Sequence, residues 1–363
     1  MKLRAEDTHY LWRALELAER GEGHTRPNPP VGAVVVKDGK IVGEGWHRRA
    51  GTDHAEVAAI RDALRKSGEA VSSPLQRRGK NAFPLKGATI YVTLEPCSRP
   101  GRVGACTDAI AASGIAHVVY AVPDPNPTNR GRAKRVLARA GVTCEVVRKG
   151  LCEAGEWDAC GGLKSLQEAA RRLIAPFAKH VTTGLPYVTV KLAMSLDGKI
   201  CDNWGEAKWI SSATSRKVVG RERAAVDAIM VGAETVRRDN PSLLSHNKRN
   251  DDLIRVVVSR SGRLPKKAQV FTDGKNPTLV FKDAQTALRE LGKRGVMHVL
   301  CEGGLKLATS LADEGLVDRW ISVTAPVVIG SRHLKDSLRL RPYAVGMSDP
   351  VAGDCEARYE RGV

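Results

Sequence analysis

The sequence predicts an α/β protein of two domains, and three observations predict it. Short apolar strands alternate with helix-length amphipathic stretches. That alternation lapses between residues 148 and 185 and restarts at Tyr187. The 363 residues, at about 150 per domain, suffice for two separate cores. The expected division is therefore 1–147, a connecting segment 148–185, and 186–363.

In the first half, Asp7 or Thr8 can cap a helix that puts Leu11, Ala14, Leu15 and Ala18 on one face and stops at Gly21. Val31 to Val36 reads as a strand, Asp38-Gly39 as a hairpin turn, and Ile41 to Trp46 as the returning strand. A helix is expected from His54 to Lys66, and a loop over 67–87, which is rich in Gly, Ser, Pro and basic residues. Ala88 to Leu94 is an apolar strand and Cys106 to Ser113 a short helix. Strand 116–122, helix 132–140 and strand 142–147 complete a three-layer unit.

The connecting segment holds one amphipathic helix, Lys164 to Ile174, and a turn-prone stretch from His180 to Pro186. Beyond it come strand 187–193, helix 214–226, and strands 228–231, 254–259 and 278–281. Strand 297–301, helix 306–314 and strand 319–323 end the pattern. No internal repeat or low-complexity tract is evident.

Composition narrows the function classes. Apolar residues make up 42% and charged residues 27%, which excludes a disordered or fibrous chain. No run approaches the roughly 18 apolar residues of a membrane span. The polar start, Met1-Lys2-Leu3-Arg4, lacks an apolar signal core, so a cytoplasmic address is expected. The net charge of +18 divides as +10 over residues 1–150 and +8 over the rest. An excess so diffuse suits phosphorylated small molecules as well as nucleic acid. Eight cysteines without a secretory signal point to thiols or metal ligands, not to a disulfide framework.

Two of those cysteines carry chemistry. His54-Ala55-Glu56 opens a predicted helix, and Pro96-Cys97 and Cys106 flank the start of another. One His and two Cys leave the fourth tetrahedral position of zinc to water, the pattern of a catalytic site. His-x-Glu followed by Pro-Cys-x-x-Cys is the zinc deaminase signature, in which the Glu shuttles protons and binds no metal, and here eight residues separate the cysteines instead of two. Helix N-termini favour thiolates and a metal-bound hydroxide. Glu56 could take the proton of the water and give it to departing ammonia. The alternatives are a structural zinc with a fourth ligand such as Cys144, or buried thiols with no metal. A structural site has no use for Glu56.

Pro27-Asn28-Pro29-Pro30-Val31-Gly32, His47, Ala50-Gly51-Thr52-Asp53-His54-Ala55-Glu56, Thr93-Leu94-Glu95-Pro96-Cys97-Ser98-Arg99-Pro100-Gly101-Arg102, Cys106 and Asp124-Pro125-Asn126-Pro127 together resemble the bifunctional riboflavin-biosynthesis deaminase–reductases. That family shares the eight-residue spacing between the cysteines. The resemblance implies a cytidine-deaminase-like N-terminal domain, with substrate contacts from Asn28 and His47. It also implies that the loop between the cysteines, with Arg99 and Arg102, holds a ribose phosphate. Arg99 stands where the family usually has His, and Val103-Gly104-Ala105 replaces a usual Thr-Pro-Pro. Either arginine alone could equally be a solvated loop charge.

The resemblance continues through Tyr187–Ile200, Lys208-Trp209-Ile210, Arg223-Ala224, Val231–Val236, Asp239–Leu243 and Glu302-Gly303-Gly304, and so covers nearly the whole chain. It implies a dihydrofolate-reductase-like C-terminal domain. Ala193, Trp209, Thr235, Asp239 and the Gly304 turn would line an NADPH site. Lys191, Ala207, Arg223, Leu243, His246 and Glu302 would line the substrate site, with Lys191 and Glu302 as candidates for proton transfer. Independently of the resemblance, a Gly-Gly turn between strand and helix offers free N–H groups to a pyrophosphate. Trp209 could also be a core aromatic and Asp239 a cap. His246 stands where the family commonly has an Arg on the substrate phosphate, and Ser259 where a strand-end Asp is usual. Arg260 and Arg263 are nearby basic residues that could compensate for these departures or reach the cofactor's 2′-phosphate.

The reading is thus a zinc- and NADPH-dependent enzyme. It would deaminate 2,5-diamino-6-ribosylamino-4(3H)-pyrimidinone 5′-phosphate and then reduce the ribosyl group to ribityl. No nucleic acid or membrane partner is expected, and the resemblance implies a dimer or larger assembly through the reductase half. Three alternatives stand beside it. One is a deaminase acting on another pyrimidine or a flipped RNA base, disfavoured by the 4% aromatic content. Another is a regulatory protein whose reductase half is degenerate. The third is a related enzyme of a pteridine-like or modified-pyrimidine pathway.

Overall fold

The computed structural model describes residues 5–68, 85–101, 103–147, 157–205, 210–245, 252–331, 333, 335, 337–339 and 355–360. Backbone contacts divide the chain into two compact units, Met1–Thr183 and Gly184–Val363.

The first unit is built on a five-stranded sheet. Its elements in chain order are α1 (Ala5–Glu19), β1 (Gly32–Lys37), β2 (Lys40–Trp46), α2 (Ala55–Lys66), β3 (Thr89–Leu94), α3 (Cys106–Ser113), β4 (His117–Val122), α4 (Arg132–Arg139), β5 (Thr143–Val146) and α5 (Trp157–Thr183). The strand order is β2-β1-β3-β4-β5. β1 runs antiparallel to both β2 and β3, and β3, β4 and β5 are parallel. The side-chain period of two sorts the core into two layers. Ala33 and Val35 of β1, with Ile90, Val92, Val118 and Tyr120, face Ala59 and Ile60 of α2, Ile110 of α3 and Leu137 of α4. Val34 and Val36, with Tyr91, Val119 and Ala121, face Leu11, Ala14 and Leu15 of α1 and Leu166, Ala170 and Ile174 of α5. The result is the three-layer arrangement expected.

Two elements differ from expectation. α1 already includes Asp7 and Thr8, so neither caps it. Asp7 is instead buried and accepts the Tyr91 hydroxyl. α5 runs through Pro176 to Thr183, where a helix ending at 174 and a turn-prone stretch from 180 were expected. Proline removes one backbone donor, but the apolar stripe of Leu166, Ala170 and Ile174 seats the helix on the sheet. Packing outweighs the missing bond.

The second unit carries β6 (Tyr187–Ser195), α6 (Ala213–Ala225), β7 (Ala228–Gly232), α7 (Ala233–Asp239), β8 (Ile254–Val258), α8 (Gln269–Thr272), β9 (Thr278–Phe281), α9 (Ala284–Lys293), β10 (His298–Cys301), α10 (Leu305–Asp313), β11 (Arg319–Ala325), β12 (Val327–Val328), β13 (Leu338–Arg339) and β14 (Cys355–Glu360). Its main sheet has the order β14-β11-β6-β10-β7-β8-β9. All neighbours are parallel except β14, which pairs antiparallel with β11. Central strands of a parallel sheet are buried on both faces and read as apolar runs. Accordingly Ala228 and Met230 of β7 join one core, whereas Ile229 and Val231 join the other. The helices α7, α8 and α9, the short β12 and β13, and the returning β14 were not expected from the sequence. The other elements of this unit lie within two residues of their expected bounds.

Candidate active sites

In the first unit the strand ends and helix starts converge on one cavity of about 500 Å³. His54 sits at the N-cap of α2 with extended backbone and no capping bond, which leaves its ring free to point away from the helix. Cys97 follows β3 through Pro96, and Cys106 opens α3. The His54 Nδ1 lies 3.3 Å from Cys106 Sγ and 3.6 Å from Cys97 Sγ. The backbone N–H of Cys106 donates to Cys97 Sγ at 3.3 Å. The three candidate ligand atoms all fall within 4.8 Å of one another. One imidazole and two sulfurs so gathered fit a zinc with three protein ligands and one open position. Cys144, the alternative fourth ligand, is buried in the α2–α3–α4 core and takes no part in this cluster.

Glu56, in the first turn of α2, lines the same cavity and is 3% exposed. Burial pushes its carboxyl up to about 7, with the neighbouring Cys97 adding to the effect. The Cys97 thiol moves down to about 4, chiefly through the hydrogen bond from Cys106, while Cys106 moves up. Unlike environments thus separate one thiolate ligand from one proton-carrying carboxyl. Across the cavity, Asn28 Nδ2 lies 3.0 Å from His47 Nε2, and His47 Nδ1 bonds the Asp53 carbonyl at 3.0 Å. Burial holds His47 below the ordinary imidazole range. Arg99 lines the cavity from an exposed position; Arg102 lies outside the described residues.

Sequence reasoning passed over several residues of this site. Asp124, Asn126, Thr128 and Asn129, in the loop after β4, form one wall, and Phe177, His180 and Val181 of α5 contribute to another. The Asp124-Pro125-Asn126-Pro127 run was a signal for the first wall. The second was hidden by ending the helix before Pro176.

The second unit has its own cavity, of about 360 Å³. It brings together Lys191 and Ala193 of β6, Arg223 of α6, Thr235 and Asp239 of α7, and Glu302 and Gly304 of the turn between β10 and α10. Arg223 donates to Glu302 as a fork, with Nε to Oε1 at 2.8 Å. Gly304 is the N-cap of α10 and has open space where a side chain would stand. A cradle a Cβ would fill, at a helix N-terminus, fits the pyrophosphate of a dinucleotide. Arg216 and Gly220 of α6 also line the cavity and were not singled out from the sequence.

Leu243 is not brought to this cavity. Its side chain is 2% exposed within the core of Ile229, Val231 and Val257, on a backbone of φ +50°. Ala207, Trp209 and His246 lie outside the described residues. Ser259 is buried at the end of β8. Arg260 and Arg263 are exposed and do not line the cavity.

These features define a two-unit protein with a zinc-binding deaminase region followed by a reductase region. The family of cytidine and deoxycytidylate deaminase zinc-binding regions matches residues 4–122, and the RibD C-terminal domain matches residues 186–342. The riboflavin biosynthesis protein RibD of Aquifex aeolicus is 36% identical, over 93% of this chain and 95% of that protein. The RibD of Escherichia coli K12 is also 36% identical, over 90% and 89%. A Thermotoga maritima structure is similar, with a TM-score of 0.77 and 33% identity over 98% of each chain. It is described as a diaminohydroxyphosphoribosylaminopyrimidine deaminase/5-amino-6-(5-phosphoribosylamino)uracil reductase. The Acinetobacter baumannii RibD structure gives 0.73 and 32%, covering 97% of this chain and 98% of that one. The chain belongs to the RibD family of riboflavin biosynthesis proteins.

Proposed function

We propose that the chain performs two consecutive steps on one phosphorylated pyrimidine. The first hydrolyses the 2-amino group of 2,5-diamino-6-ribosylamino-4(3H)-pyrimidinone 5′-phosphate, and the second reduces the ribosyl group to a ribityl chain with NADPH. The observation carrying the first step is the cluster of His54, Cys97 and Cys106 beside buried Glu56 on one cavity. Zinc held by those three residues would lower the pKa of water to about 7, supplying a nucleophile at neutral pH. Glu56 takes the proton of the water that adds to C2 and returns it to the amino group, so that nitrogen leaves as neutral ammonia. A carboxyl raised to about 7 is suited to both halves of that transfer. Asn28 and His47 orient the pyrimidine, and Arg99 and Arg102 hold the phosphate.

For the second step, NADPH supplies a hydride to C1′ of the sugar. Ala193, Trp209, Thr235, Asp239 and the Gly304 turn are our assignment for the cofactor. Lys191, Ala207, Arg223, Leu243, His246 and Glu302 are our assignment for the substrate. Leu243 would act through its backbone, since its side chain belongs to the core. Lys191 and Glu302 are the candidates for proton transfer, and the Arg223 fork fixes the orientation of Glu302.

We further read the assembly as a dimer or larger, formed through the reductase unit. We read the compartment as the cytoplasm, where thiol ligands stay reduced. No helix among the described residues is long and apolar enough to cross a membrane. Purified, zinc-loaded protein given the diaminopyrimidinone ribotide should release ammonia and then consume NADPH absorbance. Release of ammonia without NADPH consumption would remove the second step, and no ammonia at all would remove the first.

A further inference from the structure

Glu95 lies two residues before Cys97, is 2% exposed and lines the deaminase cavity. Its carboxylate accepts three backbone N–H groups: Oε2 from Asp124 at 3.2 Å and Gly131 at 3.0 Å, and Oε1 from Ala133 at 3.2 Å. Gly131 and Ala133 begin α4, whose N-cap is the glycine itself and has no side chain to cap with. Glu95 therefore satisfies from a distance two of the orphan donors of that helix. Its third bond reaches the loop after β4, which walls the deaminase cavity.

That loop reaches back to the residue after Cys97. Asn129 Oδ1 accepts both the backbone N–H and the hydroxyl of Ser98, each at 2.9 Å, and Asn129 Nδ2 donates to Asp124 Oδ2 at 2.7 Å. Asp124 Oδ1 in turn accepts the backbone N–H of Asn126 at 2.8 Å. Cys97 is thus bracketed. Glu95 anchors the chain on one side of it and Ser98 on the other, both onto the 124–133 segment. Asp124, Asn126 and Asn129 all line the cavity.

We propose that Glu95 is a positioning residue for the deaminase site, setting through its three backbone bonds both the Cys97 ligand and the 124–129 wall that receives the substrate. The inference rests on reading His54, Cys97 and Cys106 as the zinc site. Outer partners of this kind typically change metal affinity about 10- to 100-fold when altered.

Glu95→Gln keeps the volume and removes the chemistry. An amide has a single acceptor oxygen, so its NH2 group meets at least one of the three backbone donors. The test uses the full chain below its melting temperature. Zinc affinity is measured by chelator competition, the visible spectrum is recorded after cobalt(II) substitution, and KM is measured for the ribotide. The expected result is at least tenfold weaker zinc binding, an altered thiolate-to-cobalt band and a raised KM. A variant that merely melts earlier, with wild-type zinc affinity and cobalt spectrum, overturns the proposal. Should Glu95→Gln fail to fold, Asn129→Ala reads the same bracket from its other side. About threefold weaker zinc binding and a raised KM are then expected, and unchanged values overturn the proposal. Wild-type protein that holds no zinc would overturn the reading of the site itself, which separates the two failures.

Discussion

Arg223 Nε donates to Glu302 Oε1 at 2.8 Å, tying α6 to the turn that opens α10. The pair is largely buried, with the Arg223 side chain 21% and the Glu302 side chain 11% exposed. Arg223 also donates to the Leu244 carbonyl at 3.3 Å, which anchors the segment carrying the core residue Leu243. One guanidinium thus joins three segments around the reductase cavity.

Removing Arg223 leaves the largely buried Glu302 side chain without its ion-pair partner. Breaking such a pair by truncation costs roughly 2–5 kcal/mol. Arg223→Ala should therefore lower kcat/KM for NADPH oxidation by at least about thirtyfold. Arg223→Lys should recover only part of that loss, because an ammonium cannot reproduce the fork. Steady-state kinetics on the deaminated ribotide check both. Ammonia release from the diamino substrate should stay at the wild-type level, because that site is built wholly from residues of the first unit.

A second prediction concerns how closely α2 lies on β2. A Cβ at Gly45 would stand 2.6 Å from the Ala55 carbonyl oxygen and closer still to the Ala59 nitrogen. Backbone cannot yield as a flexible side chain would. Gly45→Ala should displace the start of α2, where His54 and Glu56 sit, and destabilise the first unit by about 3 kcal/mol, the upper end for overpacking. Urea unfolding measures the loss of stability, and metal analysis should show reduced zinc content. Wild-type zinc content and stability would contradict this account of the packing.

A third prediction follows from His298, on β10, which is buried against Tyr187 and hydrogen-bonded to Thr189 at 2.9 Å. Burial, together with the charge of Arg319, lowers its pKa to about 3. An unfolded imidazole takes its proton below about 6.5. Between pH 6.5 and 3 the unfolded state therefore binds more protons, and stability falls as the pH falls. The slope approaches about 1.4 kcal/mol per pH unit. Urea unfolding of the second unit at pH 7, 6 and 5 should show that slope, and His298→Gln should flatten it. Equal slopes in the two proteins would contradict the assignment.

Much of the architecture was legible because it follows from local period. Apart from β14, the strands of the two main sheets were apparent from apolar runs, and α2 and α3 from where His54 and Cys106 stand. α9 was legible too, though passed over. Asp283 caps it, and Ala284, Ala287, Leu288 and Leu291 repeat at the spacing of one helical face. The sequence could not show contacts that join distant segments. Glu95 reaches Gly131 and Ala133 across 36 and 38 residues. Arg255, 2% exposed, is paired with Asp273 at 2.7 Å, although a lone arginine in a strand reads as an exposed charge. The residue types of the zinc cluster were apparent from motif spacing. The wall supplied by α5 was not, because the expected helix ended at Ile174 and the turn-prone stretch from His180 is helical to Thr183.

The central claim is that one chain holds two chemically separate sites acting in order, and Glu56→Gln tests it most directly. With the diamino ribotide, the variant should release ammonia at least a hundredfold more slowly than the wild type. It should consume no NADPH, because the second site receives no substrate. With the deaminated uracil ribotide, it should consume NADPH at the wild-type rate. Ammonia release close to the wild-type rate would contradict the role of Glu56, and rapid NADPH consumption on the diamino substrate would contradict the order of the two steps.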